Sequence, residues 1–388
     1  MPTINPRILT WARESAGLSV EEAAKSIGLT GRNATERLAE MEAGKLDPTR
    51  RQIGEMARAY RRPLLTFYLA APPSAGKRAH DFRTLADRES GSEGILDALV
   101  RDVRTRQALV RAALEDAEEA DLLPFIGSIQ MDQGATALAN AIRSTWAVDI
   151  AQFRAARTAD DAFRYLREKV EQSGVFVILM GNLGHHASNL SPKVFRGFAL
   201  ADPVAPFIVV NETDSRSAWS FTLLHELGHL LLGESGISGY DSDVALERIC
   251  DEAAARVLLP QDELNELRTH AGISFDDLVS IIGAFASRRN LSRKMVAYNL
   301  LRFGVITAAL YARLSSRFDK DRTQTAKDKP ANGGADYYVV RKHRVGAGLI
   351  RLVDRMVAGS VLTSTKAGRV LGVKPTAVGR MTANNRAA

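Results

Sequence analysis

Apolar and polar positions divide the chain into helical stretches around one short β-rich interval. Near the start, Ser19-Val20-Glu21-Glu22 has the S-x-x-E form, in which a serine oxygen caps an early backbone N–H and the glutamate reaches back to the cap residue; a helix is predicted there. Ile27-Gly28-Leu29 breaks it, and Asp47-Pro48-Thr49 places a capping acid before a proline at the first helical position, predicting a helix from about Pro48 to Tyr60. The apolar run Leu64 to Leu69 ends at Pro72-Pro73, a candidate domain edge. Apolar residues at near-helical spacing (Ile95, Leu99, Val103, Leu109, Val110, Leu114) predict a long connecting helix over 95–122. Two more helices are expected at 135–147 and 159–172, the latter closed by Gly174. Val175 to Met180, Phe195 to Leu200 and Phe207 to Asn211 are short, apolar and β-rich, and predict a small sheet. Helices resume at about 216 and run to about 314, followed by a polar stretch over 315–335 that reads as a linker, then a basic helical tail.

This pattern predicts an α+β, mostly helical protein in five segments: an N-terminal helical module over 1–73, a connecting region over 74–150, a sheet-containing unit with a helical cap over 151–314, the linker, and a C-terminal helical region over 336–388. A length of 388 residues agrees with two or three compact units. With 45% apolar and 25% charged residues the sequence sits in the ordinary globular band, which excludes disordered and collagen-like classes. No apolar stretch approaches the roughly 20 residues needed to cross a bilayer, and Met1 to Pro6 lacks the features of a secretory signal, so a soluble cytoplasmic protein is expected. The single cysteine, Cys250, excludes both an internal disulfide and a CxxC metal pair. The net charge of +7 is unevenly distributed. Residues 1–77 carry 12 Lys and Arg against 8 Asp and Glu, and residues 312–388 carry 16 against 5, which leaves the middle at −8. Any polyanion contact is therefore expected at the ends.

The most specific chemical signal is His225-Glu226-Leu227-Gly228-His229, an H-E-x-x-H pattern within a strongly apolar helical stretch. Spacing of i to i+4 stacks both imidazoles on one helical face, within reach of one ion, with Glu226 beside them as a base. Zinc favours such nitrogen ligands, and a catalytic site takes a third protein ligand while keeping one position open. Glu247, 22 residues after His225, can complete the triad; Asp251, one turn further on the same face, can accept the free N–H of a ligating histidine and fix its tautomer. Glu252 is the rival, but it lies about 100° away from Asp251 on a helical wheel. With zinc in place, Glu226 can take a proton from the attacking water, and amide hydrolysis is the natural outcome. Tyr240, between the two ligand helices, is a candidate catalytic donor to the oxyanion, or ordinary loop packing. His185 and His186 are candidates to face the cleft or solvent. The strand at Phe207 to Asn211 either offers an edge to an extended peptide or lies in the sheet interior.

Several stretches together resemble the ImmA/IrrE metallopeptidases joined to an N-terminal Xre/Cro-type helix-turn-helix: Phe195-Arg196-Gly197-Phe198, Ala205 to Asn211, Phe221 to His229, and Glu247 through Leu259-Pro260. The resemblance covers roughly residues 4–310. It implies a zincin-like zinc endopeptidase with His225, His229 and Glu247 as metal ligands and Glu226 as the catalytic residue. It further implies a protein substrate that is a helix-turn-helix repressor or antitoxin-like protein, and a role in transcription regulation. Leu18 to Ala24, Met41-Glu42-Ala43-Gly44 and Pro48-Thr49 look like the DNA-binding part, which would set Thr30, Arg32, Asn33, Thr35 and Arg37 at the major groove. Gly28 and Glu42 are 14 residues apart, about four more than a compact motif has, so the insertion either extends the recognition loop or spoils its approach. Residues Phe275 to Phe303 and Leu362 to Met381 share the same cadence; the first reads as a helical cap on the peptidase, the second as an addition of phosphate contacts or a dimer contact closing a homodimer. The competing reading is a DNA-binding regulator or antitoxin that uses the peptidase fold as a non-catalytic sensor or scaffold.

Overall fold

The computed structural model describes residues 4–72, 92–183, 188–237, 244–268, 273–327 and 336–383. Its helices are α1 (Pro6–Glu14), α2 (Val20–Ser26), α3 (Ala34–Glu42), α4 (Arg50–Ala59), α5 (Ser92–Asp116), α6 (Gly134–Thr145), α7 (Ile150–Ala155), α8 (Ala159–Gln172), α9 (Arg216–Leu232), α10 (Val244–Leu258), α11 (Asn265–Arg268), α12 (Phe275–Arg288), α13 (Arg293–Arg302), α14 (Ala308–Lys327), α15 (Tyr337–Val345), α16 (Ala347–Ala358), α17 (Ser364–Leu371) and α18 (Val378–Thr382). The strands are β1 (Phe176–Leu179), β2 (Gly197–Leu200), β3 (Phe207–Val210) and the two-residue β4 (Gly236–Ile237). The protein is mostly helical with a small sheet, an α+β architecture. It divides into two compact units, Met1–Arg104 with Asn182–Leu190, and Thr105–Gly181 with Ser191–Ala388; the division falls within α5.

In the first unit, Ile8, Leu9, Ala23, Leu38, Met41, Ile53, Met56 and Phe67 form the core. The expected capping box at Ser19 is present: Glu22 N donates to Ser19 Oγ at 3.2 Å, and Ser19 N donates to Glu22 Oε2 at 2.9 Å. The predicted cap at Asp47 is corrected. Thr49 caps α4, accepting from Gln52 N at 3.3 Å while its own N–H donates to Gln52 Oε1 at 2.8 Å, and Pro48 lies outside the helix. The Thr-x-x-Gln reciprocity satisfies two orphan N–H groups, which a lone Asp before a proline would not. Arg13 grips Glu42 through Nε at 2.7 Å and Nη2 at 3.0 Å, tying α1 to the end of α3. Seven residues, 27–33, join α2 to α3.

In the second unit the sheet order is β1-β3-β2-β4. β1 runs parallel to β3, with Phe176 opposite Phe207 and Leu179 opposite Val210; β2 is antiparallel to β3, with Gly197 opposite Val210, and antiparallel to β4. β3 is thus central, and the reading of 207–211 as a free docking edge is corrected: every residue of β3 is buried between two partners. α6, α8, α9, α10, α12 and α13 enclose one continuous apolar core with the sheet.

The linker expected over 315–335 is also corrected, since 315–327 is the second half of α14 and 328–335 fall outside the described residues. Its polarity serves pairing: Arg293 Nη1 meets Asp321 Oδ2 at 2.8 Å, Lys294 Nζ meets Asp319 Oδ2 at 2.7 Å, and Arg317 Nε meets Asp321 Oδ1 at 3.0 Å, while Leu314 and Phe318 are buried. Alternating charge along a helix face that is pinned by its apolar stripe reads as linker composition in sequence.

The C-terminal helices pack onto the same unit, α15 against β1 and α16 against α8. A buried ion pair on α8 holds them, with Arg167 Nε 2.9 Å from Glu171 Oε1. The Arg167 guanidinium also donates to the carbonyls of Val177 on β1 and of His343 and Arg344 on α15, and Glu171 Oε2 accepts the Gly348 N–H at 2.8 Å. The edge strand β1 is thereby covered. Removing one member of such a pair strands a charge in the interior. Arg167→Ala should cost about 3–5 kcal/mol in urea unfolding and open the residues that follow 336 to limited proteolysis; wild-type stability in that variant would refute the anchoring role.

Candidate metal centre

The site is built on α9, which is buried on every face from Trp219 to Leu231 apart from Phe221. A helix so buried requires packing on all sides, here from α6, α8, α10 and the sheet. The turn between β3 and this helix is held by Asn211. The Asn211 Nδ2 donates to Phe195 O at 3.0 Å, and its Oδ1 accepts from Thr213 N at 2.9 Å and Thr213 Oγ1 at 2.8 Å. Its last carbonyls are satisfied by the loop before α6: Gly127 N and Ile129 N donate to Leu230 O and Leu231 O, each at 3.0 Å.

His225 and His229 lie one turn apart on α9 and Glu247 comes from α10. His225 Nε2 and His229 Nε2 are 3.1 Å apart; Glu247 Oε2 is 3.3 Å from the first and Glu247 Oε1 is 3.3 Å from the second. This is the group of three ligand-type residues, found among the described residues, that could hold a metal ion. The donor atoms also fit one. Bonds of about 2.0–2.1 Å to a tetrahedral zinc put neighbouring donors about 3.3 Å apart. Glu247 Oε1 is buried and accepts no hydrogen bond from the described residues, as an atom reserved for a cation would be.

The charge state follows from the same contacts. Burial pulls the His225 imidazole toward neutrality, but hydrogen bonds to Asp251 and Glu247 outweigh it and push its pKa up to about 10. Burial would raise the Glu247 carboxyl, but the two imidazoles hold it well below the usual carboxylate range. Asp251 accepts from His225 Nδ1 at 2.9 Å, so Nε2 is the nitrogen turned toward the cluster. Glu252 faces elsewhere, 3.1 Å from Arg302 and 3.5 Å from Arg256. Burial pushes the Cys250 thiol far up, which keeps it protonated and out of the donor set. Tyr240, His185 and His186 lie outside the described residues.

Glu226 is fully buried beside the histidines. Sequence reasoning did not single out Gly197, the residue that makes this possible: a Cβ there would lie 2.5 Å from Thr222 Cγ2, 2.7 Å from Glu226 Oε1 and 2.9 Å from Val209 O. A glycine at the start of an otherwise apolar strand is the signal that could have marked it, since a glycine in a strand often records a close approach. Gly228 plays a similar part on α9, with Cys250 Sγ 3.1 Å from where its Cβ would be.

Of the five residues placed at the major groove from sequence, Thr30, Arg32, Asn33 and Arg37 are exposed and Thr35 is half-buried. Thr30, Arg32 and Asn33 precede α3, and Thr35 and Arg37 lie in its first turn.

A buried His-x-x-x-His pair on one helix and a glutamate from the next thus form a group that could hold a metal ion, with the buried carboxylate of Glu226 beside the first histidine. The model of one protein family, the IrrE N-terminal-like domain of peptidase M78, matches residues 176–301, from β1 to α13. That match supports a metallopeptidase-type enzyme and the ImmA/IrrE resemblance of this central part. No curated protein and no solved structure matches the sequence. Among the described residues no helix is long and apolar enough to cross a membrane.

Because the neighbours of Gly197 include a backbone carbonyl that cannot swing away, Gly197→Ala should destabilise the protein by about 1–3 kcal/mol in thermal or urea unfolding. A variant as stable as the wild type would show that the helix is not held this close to the strand.

Proposed function

We propose that the protein is a zinc-dependent endopeptidase and transcriptional regulator of the cytoplasm, hydrolysing a peptide bond in a helix-turn-helix repressor or antitoxin-like protein. The observation that carries the reading is the convergence of His225, His229 and Glu247 with Glu226 buried alongside. Residues 151–314 form the peptidase with its helical cap, and residues 1–73 are the DNA-binding module, with Thr30, Arg32, Asn33, Thr35 and Arg37 at the groove.

Zinc in this site supplies Lewis acidity toward a peptide carbonyl and acidifies water. His225, His229 and Glu247 would hold it, with Asp251 accepting from His225 Nδ1 and so leaving Nε2 as the nitrogen available to a metal. Glu226 takes the proton of the attacking water and returns it to the leaving amine. Its burial strengthens that exchange, because a carboxylate shielded from bulk water is a better proton acceptor. Tyr240 would be the further donor to the developing oxyanion in this scheme. The substrate class rests on the ImmA/IrrE resemblance.

His225→Ala and Glu247→Ala should lose bound zinc by elemental analysis. Glu226→Gln should keep zinc and lose cleavage of a captured partner by about 10²–10⁴-fold. A purified protein that binds neither zinc nor another divalent ion, or a Glu226→Gln protein that still cleaves at the wild-type rate, would overturn the peptidase reading.

For the N-terminal module, Arg32→Ala with Arg37→Ala should weaken duplex binding and lower its salt dependence by about two counterions. Unchanged affinity and slope would sink that half of the reading.

A further inference from the structure

Residues 363–382 present a geometry that the N-terminal module lacks. α17 is capped by Thr363, whose Oγ1 accepts from Lys366 N at 3.3 Å, and it ends at Gly372 with φ +65°. Only Gly372, Val373 and Lys374 separate it from a single turn of 3-10 helix, Pro375–Ala377, which runs directly into α18. A connection of three residues with a left-handed glycine is that of a compact helix-turn-helix, whereas 27–33 is seven residues long.

The turn is folded back tightly on the first helix. Val373 N donates to Gly368 O at 2.8 Å, and a Cβ on Gly368 would lie 2.8 Å from Val373 O and 3.2 Å from Pro375 N. Ala367, Val370 and Leu371 from one helix and Val378 and Met381 from the other are buried, and both helices pack on α16. The C-terminal carbonyls of α17 are claimed from behind: Arg341 donates to Leu371 O through Nη2 at 2.8 Å and Nε at 3.0 Å, and Arg106 Nη1 donates to Val370 O at 3.3 Å. The pair of helices is thus rigidly seated on its unit by one side only.

The other side is polar and cationic. Lys366, Lys374, Thr376 and Arg380 are exposed. Asp354 is the last acidic residue of the sequence, so no carboxylate of the motif opposes these cations. Arg380 keeps its guanidinium carbon 5.6 Å from the Tyr338 ring centroid, which orients it while leaving it exposed.

We propose that residues 363–382 are a second DNA-binding element, a compact helix-turn-helix whose second helix, residues 375–382, enters the major groove of duplex DNA. Thr376 and Arg380 face the base edges from the first two turns of that helix, and Lys366 and Lys374 contact phosphates on either side. Charge complementarity favours a polyphosphate partner, and a rigid pair of helices crossing through a three-residue turn favours a duplex over a lipid surface. The assignment rests neither on the metal centre nor on residues 1–73.

The test uses the full-length protein and a fluorescent duplex of about 30 base pairs with randomised sequence, titrated at roughly 50 to 200 mM salt. Lys374→Glu with Arg380→Glu should weaken binding more than tenfold and reduce the log–log salt slope by about two. The Arg32/Arg37 variant of the N-terminal module should act separately and additively, so the two elements fail or survive independently. The melting temperature and metal content of the charge-reversed protein should match the wild type. As a positional readout, a photo-crosslinking residue at Thr376 should label the duplex, and one at exposed Glu168 on α8 should not. Unchanged affinity and slope in the charge-reversed protein, no labelling from Thr376, or tighter binding to phosphatidylglycerol vesicles than to the duplex would each overturn the proposal.

Discussion

Two imidazole nitrogens 3.1 Å apart turn toward each other in the interior, and a carboxylate lies 3.3 Å from each. Such an arrangement is costly in the interior, and burial of the His225 imidazole is offset by the carboxylates of Asp251 and Glu247 that face it. The rest of the second unit is arranged to impose it. α9 is buried on every face over most of its length, so it has no solvent-facing side to rotate outward, and its azimuth is fixed by its neighbours. α10 must then lie close enough to deliver Glu247, which Gly228 permits by letting Cys250 of α10 approach the α9 backbone. On the opposite side Gly197 lets the sheet approach the same helix at Glu226. Donor geometry is therefore a property of core packing rather than of a surface loop, which is how a site is held to a fraction of an ångström.

A second buried charge pair extends this logic to the C-terminal region. Arg167 and Glu171 sit on α8, which itself packs on α9, and they reach the β1 backbone, the end of α15 and the start of α16 together. A guanidinium offers five donors in a plane, enough to neutralise one carboxylate and still satisfy several carbonyls at once. The C-terminal helices therefore complete the sheet edge of the candidate peptidase unit. Two of their cations are paired with carboxylates of the same unit: Arg344 meets Glu212 and Arg355 meets Glu119.

Most of the second unit was legible in sequence where one signal sufficed. The three main strands fall within the predicted apolar runs, α8 spans the expected 159–172, and the i to i+4 pairing of His225 with His229 and of Glu247 with Asp251 reads directly as shared helical faces. What was illegible depended on contacts between distant segments. The polarity of 315–327 looks like a linker until Asp319 and Asp321 are seen to meet Lys294 and Arg293 of another helix. The central position of β3 cannot be read from its apolar run, because a buried strand and a covered edge have the same composition. Asp47 and Thr49 both suit a helix cap by residue type, and only the position of Gln52 three residues after Thr49 decides between them.

The charge distribution shows how little a net count determines. Both ends of the sequence are basic, yet their cations are put to different uses. Arg13 is engaged by Glu42 inside the first unit, Arg341 by the carbonyl of Leu371, and Arg344 by Glu212. A cation engaged with a carboxylate or a helix terminus has given up most of what it could offer a phosphate, since the released counterions are what make phosphate contacts favourable. Among the cations that remain exposed are Arg32 and Arg37, ahead of and within the first turn of α3, and Lys366, Lys374 and Arg380, around the turn between α17 and α18. At the first position the connection is long and Asn33 makes no capping hydrogen bond with its side chain; at the second it is three residues long and closed on Gly368. Preorganisation lowers the ordering cost of binding, so at equal charge the shorter turn is the better platform for a rigid duplex.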